Sequence, residues 1–210
     1  MFALVESGSI TKMLNGNKGI QIGDLKYPRA IYTLWTEAER NAIGIYTVEY
    51  DDSNKKDKKW YINTNQSYAF ADNKVTASYG TATAKKHADT TWTQQQIDDG
   101  EAPDGVDTDT VAVKGLKTVL IEQVKSQAES ELNKTDWYIT RKSEKNTAIP
   151  SAITTHRDAV RTKQAAMETA ITNASDTPAL ETLYTYVNTA DEGDPVVSER
   201  SLGEIPIKNF

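Results

Sequence analysis

Only a few residues in this chain have the types that bond-making or metal chemistry uses. Histidine occurs twice, as His87 and His156, and cysteine is absent. A zinc site takes three or four nitrogen or sulfur ligands, with a carboxylate as an occasional substitute. The two histidines fall in different predicted modules, and neither has a carboxylate at ligand spacing on a shared helix. A Ser-His-Asp triad would need a context such as the G-x-S-x-G elbow, which is missing. His156 therefore reads as a helix-surface or packing residue. Asp98, Asp99, Glu101, Asp104, Asp107 and Asp109 offer the oxygen donors that calcium favours. The D-x-[DN]-x-[DN]-G loop with its glutamate at position twelve is absent, so the stretch reads as solvated linker. Among 30 acids some pair could always flank a sugar, so a glycosidase reading has no specificity. Gly16, Gly19 and Gly23 lack the strand–turn–helix context of a phosphate loop. The expectation is a protein that is not an enzyme and needs no cofactor or metal.

Aromatic and cationic residues are the other candidates. In TDWYITRKSEKNTAIP, Thr135 to Pro150, Trp137 and Tyr138 precede Arg141, and Arg157 and Arg161 follow one turn apart on the next predicted helix. If the two helices fold back, one or more of these guanidinium groups lies over Trp137 or pairs with Glu131 or Asp136. A desolvated cation–π contact of that kind contributes ~2 kcal/mol. These residues are read as a joint between helices, with Trp137 and Tyr138 capping the apolar stripe of the first. Trp60, Tyr61, Tyr68 and Phe70 sit on predicted strands, where aromatics form core or cross-strand pairs. An aromatic display face for carbohydrate is the functional alternative.

The elements that position these residues fall into two kinds. The first eighty or so residues are β-rich: Phe2 and Leu4 alternate with small residues, Asn15-Gly16-Asn17 is a turn cluster, and Asp72-Asn73 joins two strands. Thr36-Glu37-Ala38-Glu39 is a capping box that starts a helix over about 37 to 43, and Gly44 ends it. Trp35 staples that helix to the sheet. Residues 84–110 are rich in acid, Thr, Gly and Pro, and read as a linker or long loop. From Val111 the period becomes helical, with Val113, Leu116, Leu120, Val124, Ala128 and Leu132 on one stripe, continuing to or near Trp137. Pro150 opens a second helix. Its Ile153, Val160 and Met167 repeat every seven residues, while Arg157 and Gln164 make the seam half polar. A third helix follows Thr177-Pro178.

The reading is thus an α+β chain. A small β-rich N-terminal module (1–83) is followed by the acidic linker (84–110), a helical hairpin or bundle (111–190) and an extended tail (191–210). At 210 residues the chain can bury a real core. Its net charge of −6 argues against sequence-independent nucleic-acid binding, which needs clustered Lys and Arg. No apolar run reaches bilayer length.

The segment L-x-K-T-D-W-Y-I-T-R-K-x-E, followed by A-I-P-S-A-I-T-T-H-R-D-A-V-R, resembles one common in bacteriophage tail proteins and tail-fibre assembly proteins. The stretches YPRAIYTLWTEAERNAIGIYTV and WYINTNQSYAFADNKVTASYGTATAK look like proteins of marine and cyanobacterial phage tail regions. The resemblance implies a virion structural protein of the tail, attached to a fibre or baseplate. Its partners would be other tail proteins and further copies of itself, a trimer being one arrangement. A tail-fibre assembly chaperone is the alternative, and a protein that binds or degrades host-surface glycan is a third. No catalytic residues are attached to the pattern, so none carry over.

Overall fold

A computed structural model describes residues 1–209. The chain is mixed α+β and divides into two compact units, 1–83 and 84–210. The strands of the first are β1 (Phe2–Glu6), β2 (Ser9–Leu14), β3 (Ile20–Ile22), β4 (Leu25–Tyr27), β5 (Ile45–Asp51), β6 (Tyr61–Ile62), β7 (Ser67–Ala71) and β8 (Lys74–Ser78). Its helices are α1 (Ile31–Leu34) and α2 (Glu37–Ala42). The short strand β9 (Thr83–Ala84) lies at the boundary.

The main sheet of the first unit has the order β2-β1-β5-β8-β7, antiparallel throughout except for the parallel pair β5–β8. Alternation along β1 loads both faces. Leu4 joins Leu14, Ile20, Ile31, Tyr32 and Ile45 on one side, while Ala3 and Val5 join Val48, Val75 and Ala77 on the other. The Asp72-Asn73 turn takes positive φ at both residues, 49° and 58°, which a two-residue hairpin of the primed type requires. Helix α2 carries the full capping box: Thr36 accepts from the Glu39 amide, and the Glu39 carboxylate accepts from the Thr36 amide at 2.7 Å. Those bonds hold the Glu39 carboxyl below the usual carboxylate range. Trp35 packs edge-on against Tyr27 of β4, with centroids 5.9 Å apart.

The second unit contains β10 (Thr90–Thr91), α3 (Gln94–Asp98), β11 (Val111–Val113), α4 (Leu116–Asn133), α5 (Asp136–Lys145), α6 (Ser151–Asn173), α7 (Thr177–Tyr184), β12 (Tyr186–Asn188) and β13 (Ser198–Arg200). Helices α4 and α6 pack antiparallel: Lys117 donates to the Thr172 carbonyl at one end, and Glu131 meets His156 at the other. Two expectations are corrected here. Residues 84–110 are not a bare linker. Their first part is bonded to the helical unit, because Asp89 caps α4: its carboxylate accepts from the Gly115 amide (2.6 Å) and the Thr118 hydroxyl (2.9 Å). Thr177 donates to the Lys85 carbonyl, β10 pairs with β11, and α3 has its own Thr93–Gln96 capping box. Polar residues that cannot build a core still fold when helix ends supply unsatisfied amides.

The second correction concerns the long helix expected from Val111. Residues 111–113 are strand, and the helix starts only after Gly115, where a Cβ would collide with the Ala88 backbone. It breaks at Thr135, which has φ −119° and ψ 6° and whose hydroxyl bonds back to the Leu132 carbonyl.

Gly44 offers a test of the first unit. It sits at φ +80°, and an added Cβ would stand 2.6 Å from the Val5 carbonyl oxygen, which belongs to the sheet. Gly44→Ala is expected to cost at least about 1–2 kcal/mol from the left-handed backbone alone. A urea melt followed by tryptophan fluorescence in a Trp92→Phe, Trp137→Phe background, where Trp35 and Trp60 report, should show the loss, and an unchanged midpoint would refute the fit described.

Candidate functional site

The polar groups of the second unit converge where α4, α5 and α6 meet. Buried positions on α4 step as Leu120, Val124, Ala128 and Glu131, so the last inward position of the apolar stripe is a carboxylate. On α6 the inward set is Ile153, His156, Arg157, Val160, Met167 and Ile171. An acid on one helix thus faces bases on the other.

Glu131 is 4% exposed, yet both its oxygens are engaged. Oε1 lies 3.0 Å from His156 Nε2 and accepts the Lys208 amide at 3.0 Å, while Oε2 takes the Lys134 ammonium. An ionised carboxylate only accepts, so Nε2 carries the proton in this contact. Burial pushes the Glu131 carboxyl up, but the donors from Lys134, Lys208 and His156 outweigh it and hold the group below its usual range. Held there, the group is a poor proton acceptor and a good anchor. His156 was expected as a surface or packing residue; it is buried and bonded because it shares the seam with Glu131.

Arg157 closes the joint. Its Nη1 lies 2.8 Å from the Leu132 carbonyl, the Thr135 hydroxyl and the Asp136 carboxylate. Thr135 is fully buried. Two of the expected pairings are therefore made by different arginines: Arg157 takes Asp136, and Arg141 lies over Trp137 at 4.6 Å and Tyr138 at 5.2 Å. Arg161 stays outside the joint and pairs loosely with Asp158.

Trp137 does not cap the stripe. It is 51% exposed on α5, its ring stacked 3.8 Å from that of Tyr138. The break at Thr135 swings it away from the α4 seam, and no residue of α5 is buried. The aromatic display face is not assembled either. Trp60 and Tyr61 are buried, Phe70 packs against Tyr46 at 4.8 Å, and Tyr68 alone is exposed. Tyr61 is turned inward by β6, whereas Trp60, expected on a strand, is buried from the turn that precedes it.

Beside Glu131 a cleft of about 680 Å³ is lined by Ser126, Gln127, Ser130, Lys134, Glu204 and Ile205. Among the described residues no group of three or more His, Asp or Glu is placed to hold a metal ion, and no helix is long and apolar enough to cross a membrane. Glu131 was expected as a partner of an arginine; its pairing with His156 and Lys134 was missed from sequence. Continuing the α4 stripe by steps of four and three would have reached Glu131 itself.

Comparison with family models, with curated proteins and with solved structures finds no match to this chain in any of the three.

Two outcomes test the joint. The Glu131 carboxyl is lowered in the fold, so its stabilising contribution is complete above its unfolded pKa and disappears as pH falls through the lower folded value. Between pH 7 and pH 3, the melting temperature of Glu131→Gln should therefore fall less than that of wild type; parallel declines would refute the anchor role. Second, Arg157→Ala should cost about 1.5–3 kcal/mol, since charged hydrogen bonds to buried acceptors are lost. Trp137→Ala should cost under about 1 kcal/mol, as for an exposed position. Chemical denaturation of both variants checks the contrast.

Proposed function

We propose that the chain is a non-enzymatic structural component of a bacteriophage tail, attached to a fibre or baseplate and working by protein–protein assembly. Of the T-D-W block and paired-arginine pattern that resemble phage tail proteins, Thr135, Asp136 and Arg157 build the α4–α6 joint, while Trp137 and Arg161 lie outside it. One observation carries the reading. Thr135 and Asp136 are bound inward by Arg157, and this holds α5 out with Trp137 exposed and Tyr138 and Arg141 half-buried beside it. Trp, Tyr and Arg are the side chains that dominate protein–protein hot spots. In this reading the β-rich unit docks or displays, the helical unit packs against neighbours, and the protein resides in the virion. Burial of Trp60 and Tyr61 weighs against a glycan-binding face in the first unit.

An exposed aromatic helix with few tethers also suits a tail-fibre assembly chaperone that leaves before the particle is finished. Mass spectrometry of purified particles separates the two. A structural protein is expected at stoichiometric level beside the other tail proteins. Presence only in infected-cell lysate would replace the structural role with the chaperone, and absence from both would end the phage reading.

A further inference from the structure

Helix α5 has ten residues and buries none of them. Isolated helices shorter than about 12–15 residues are marginal in water. Within the chain α5 is held mainly at its first turn, through Asp136 and the Thr135 corner. Its outer face begins with exposed Trp137 and half-buried Tyr138 and continues one turn later with half-buried Arg141 and exposed Lys142 and, another turn on, with exposed Lys145. Ile139 is also exposed, at 42%. No ion pair is made by Arg141, Lys142 or Lys145 among the described residues. The Arg141 Nε is shielded from solvent and donates to nothing there.

The matching surface is on the same chain. From Asp98 to Asp109 there are six acids and no base. All six are exposed, and none is ion-paired among the described residues. Asp98, Asp99 and Asp107 are occupied by local hydrogen bonds, which leaves Glu101, Asp104 and Asp109 as the outward carboxylates. Directly after them β11 exposes Val111 at 44% and Val113 at 65%. Acids followed by an apolar pair complement cations preceded by an aromatic pair.

We infer that α5 is the docking surface for a second copy of this chain, one copy's Trp137–Lys145 face taking the next copy's Glu101–Val113 stretch. The two patches differ, so the contact is either made twice, reciprocally, in a two-fold dimer, or made once per copy in a ring or filament. Exposed charge contacts of this kind set register and encounter rate, and salt screens them; the tryptophan and valines supply the desolvated centre. The inference goes beyond the proposed role in a tail, since it concerns the purified chain alone.

Light scattering on the sized protein at high micromolar concentration tests it. Association should weaken about tenfold or more as salt rises from about 0.05 to about 0.5 M. The triple change Arg141→Glu, Lys142→Glu and Lys145→Glu should abolish association, and so should Glu101→Lys, Asp104→Lys and Asp109→Lys. Mixing the two variants should restore a complex. Circular dichroism confirms that each variant is folded; if the α5 variant loses helix, the acidic-stretch variant decides alone. A monomer under all conditions, association indifferent to the acidic-stretch change, or a mixture of folded variants that stays dissociated would each overturn the inference.

Discussion

The helical unit depends on one buried polar contact set, in which Glu131 and the Leu132–Asp136 corner of α4 and α5 meet His156 and Arg157 of α6. Apolar side chains along α4 and α6 would bury nearly as well after a slip of one turn. The polar groups would not. A slip would leave a carboxylate, a threonine hydroxyl and a guanidinium inside without partners, each costing about 1–3 kcal/mol. Replacing a buried ionic set with apolar residues is often neutral for stability, so its value here lies in register. The same bonds fix where α4 ends and the direction in which α5 leaves.

That constraint explains why α5 is exposed. Arg157 spends its charge on the first turn of α5, and the Thr135 corner turns the remaining residues away from the α4 seam. Trp137, Tyr138 and Arg141 then stack on one another, a local arrangement that keeps a large apolar ring ordered while it faces water. A surface held rigid before contact loses less entropy on binding than a flexible one. Interior chemistry at the joint and presentation of the outer face are thus two results of one set of bonds.

Features governed by local rules were legible in the sequence. The Thr36–Glu39 box, Gly44, the Asp72-Asn73 turn and the Pro150 helix start each follow from steric or capping requirements that neighbouring residues satisfy. The Arg141–Trp137 pairing was within reach because the helical period puts residues four apart on one face, and the Arg157–Asp136 pairing because the next helix folds back. What stayed hidden depended on distant partners. Asp89 as the cap of α4 needs Gly115, twenty-six residues away. The break at Thr135 needs Arg157 to compete for the Leu132 carbonyl, and local propensity favours an unbroken helix there. Glu131 was in view as a partner for an arginine, but its bond to His156 depends on the register of α6 against α4, which no local pattern gives.

The one parallel pairing of the main sheet, β5 with β8, bears on how the first unit acquires its fold. The hairpins β1–β2 and β7–β8 are local and close in about 1–10 μs. Joining β5 to β8 requires the intervening chain, including β6 and β7, to loop back, so its entropy must be lost before the seam gives anything in return. On chain separation alone, the two outer ribbons of the N-terminal sheet are the pairings that cost least to form first. Two seams must then close onto β5, and the β1–β5 pairing of Leu4 with Ile45 spans more chain than the β5–β8 pairing of Val48 with Val75.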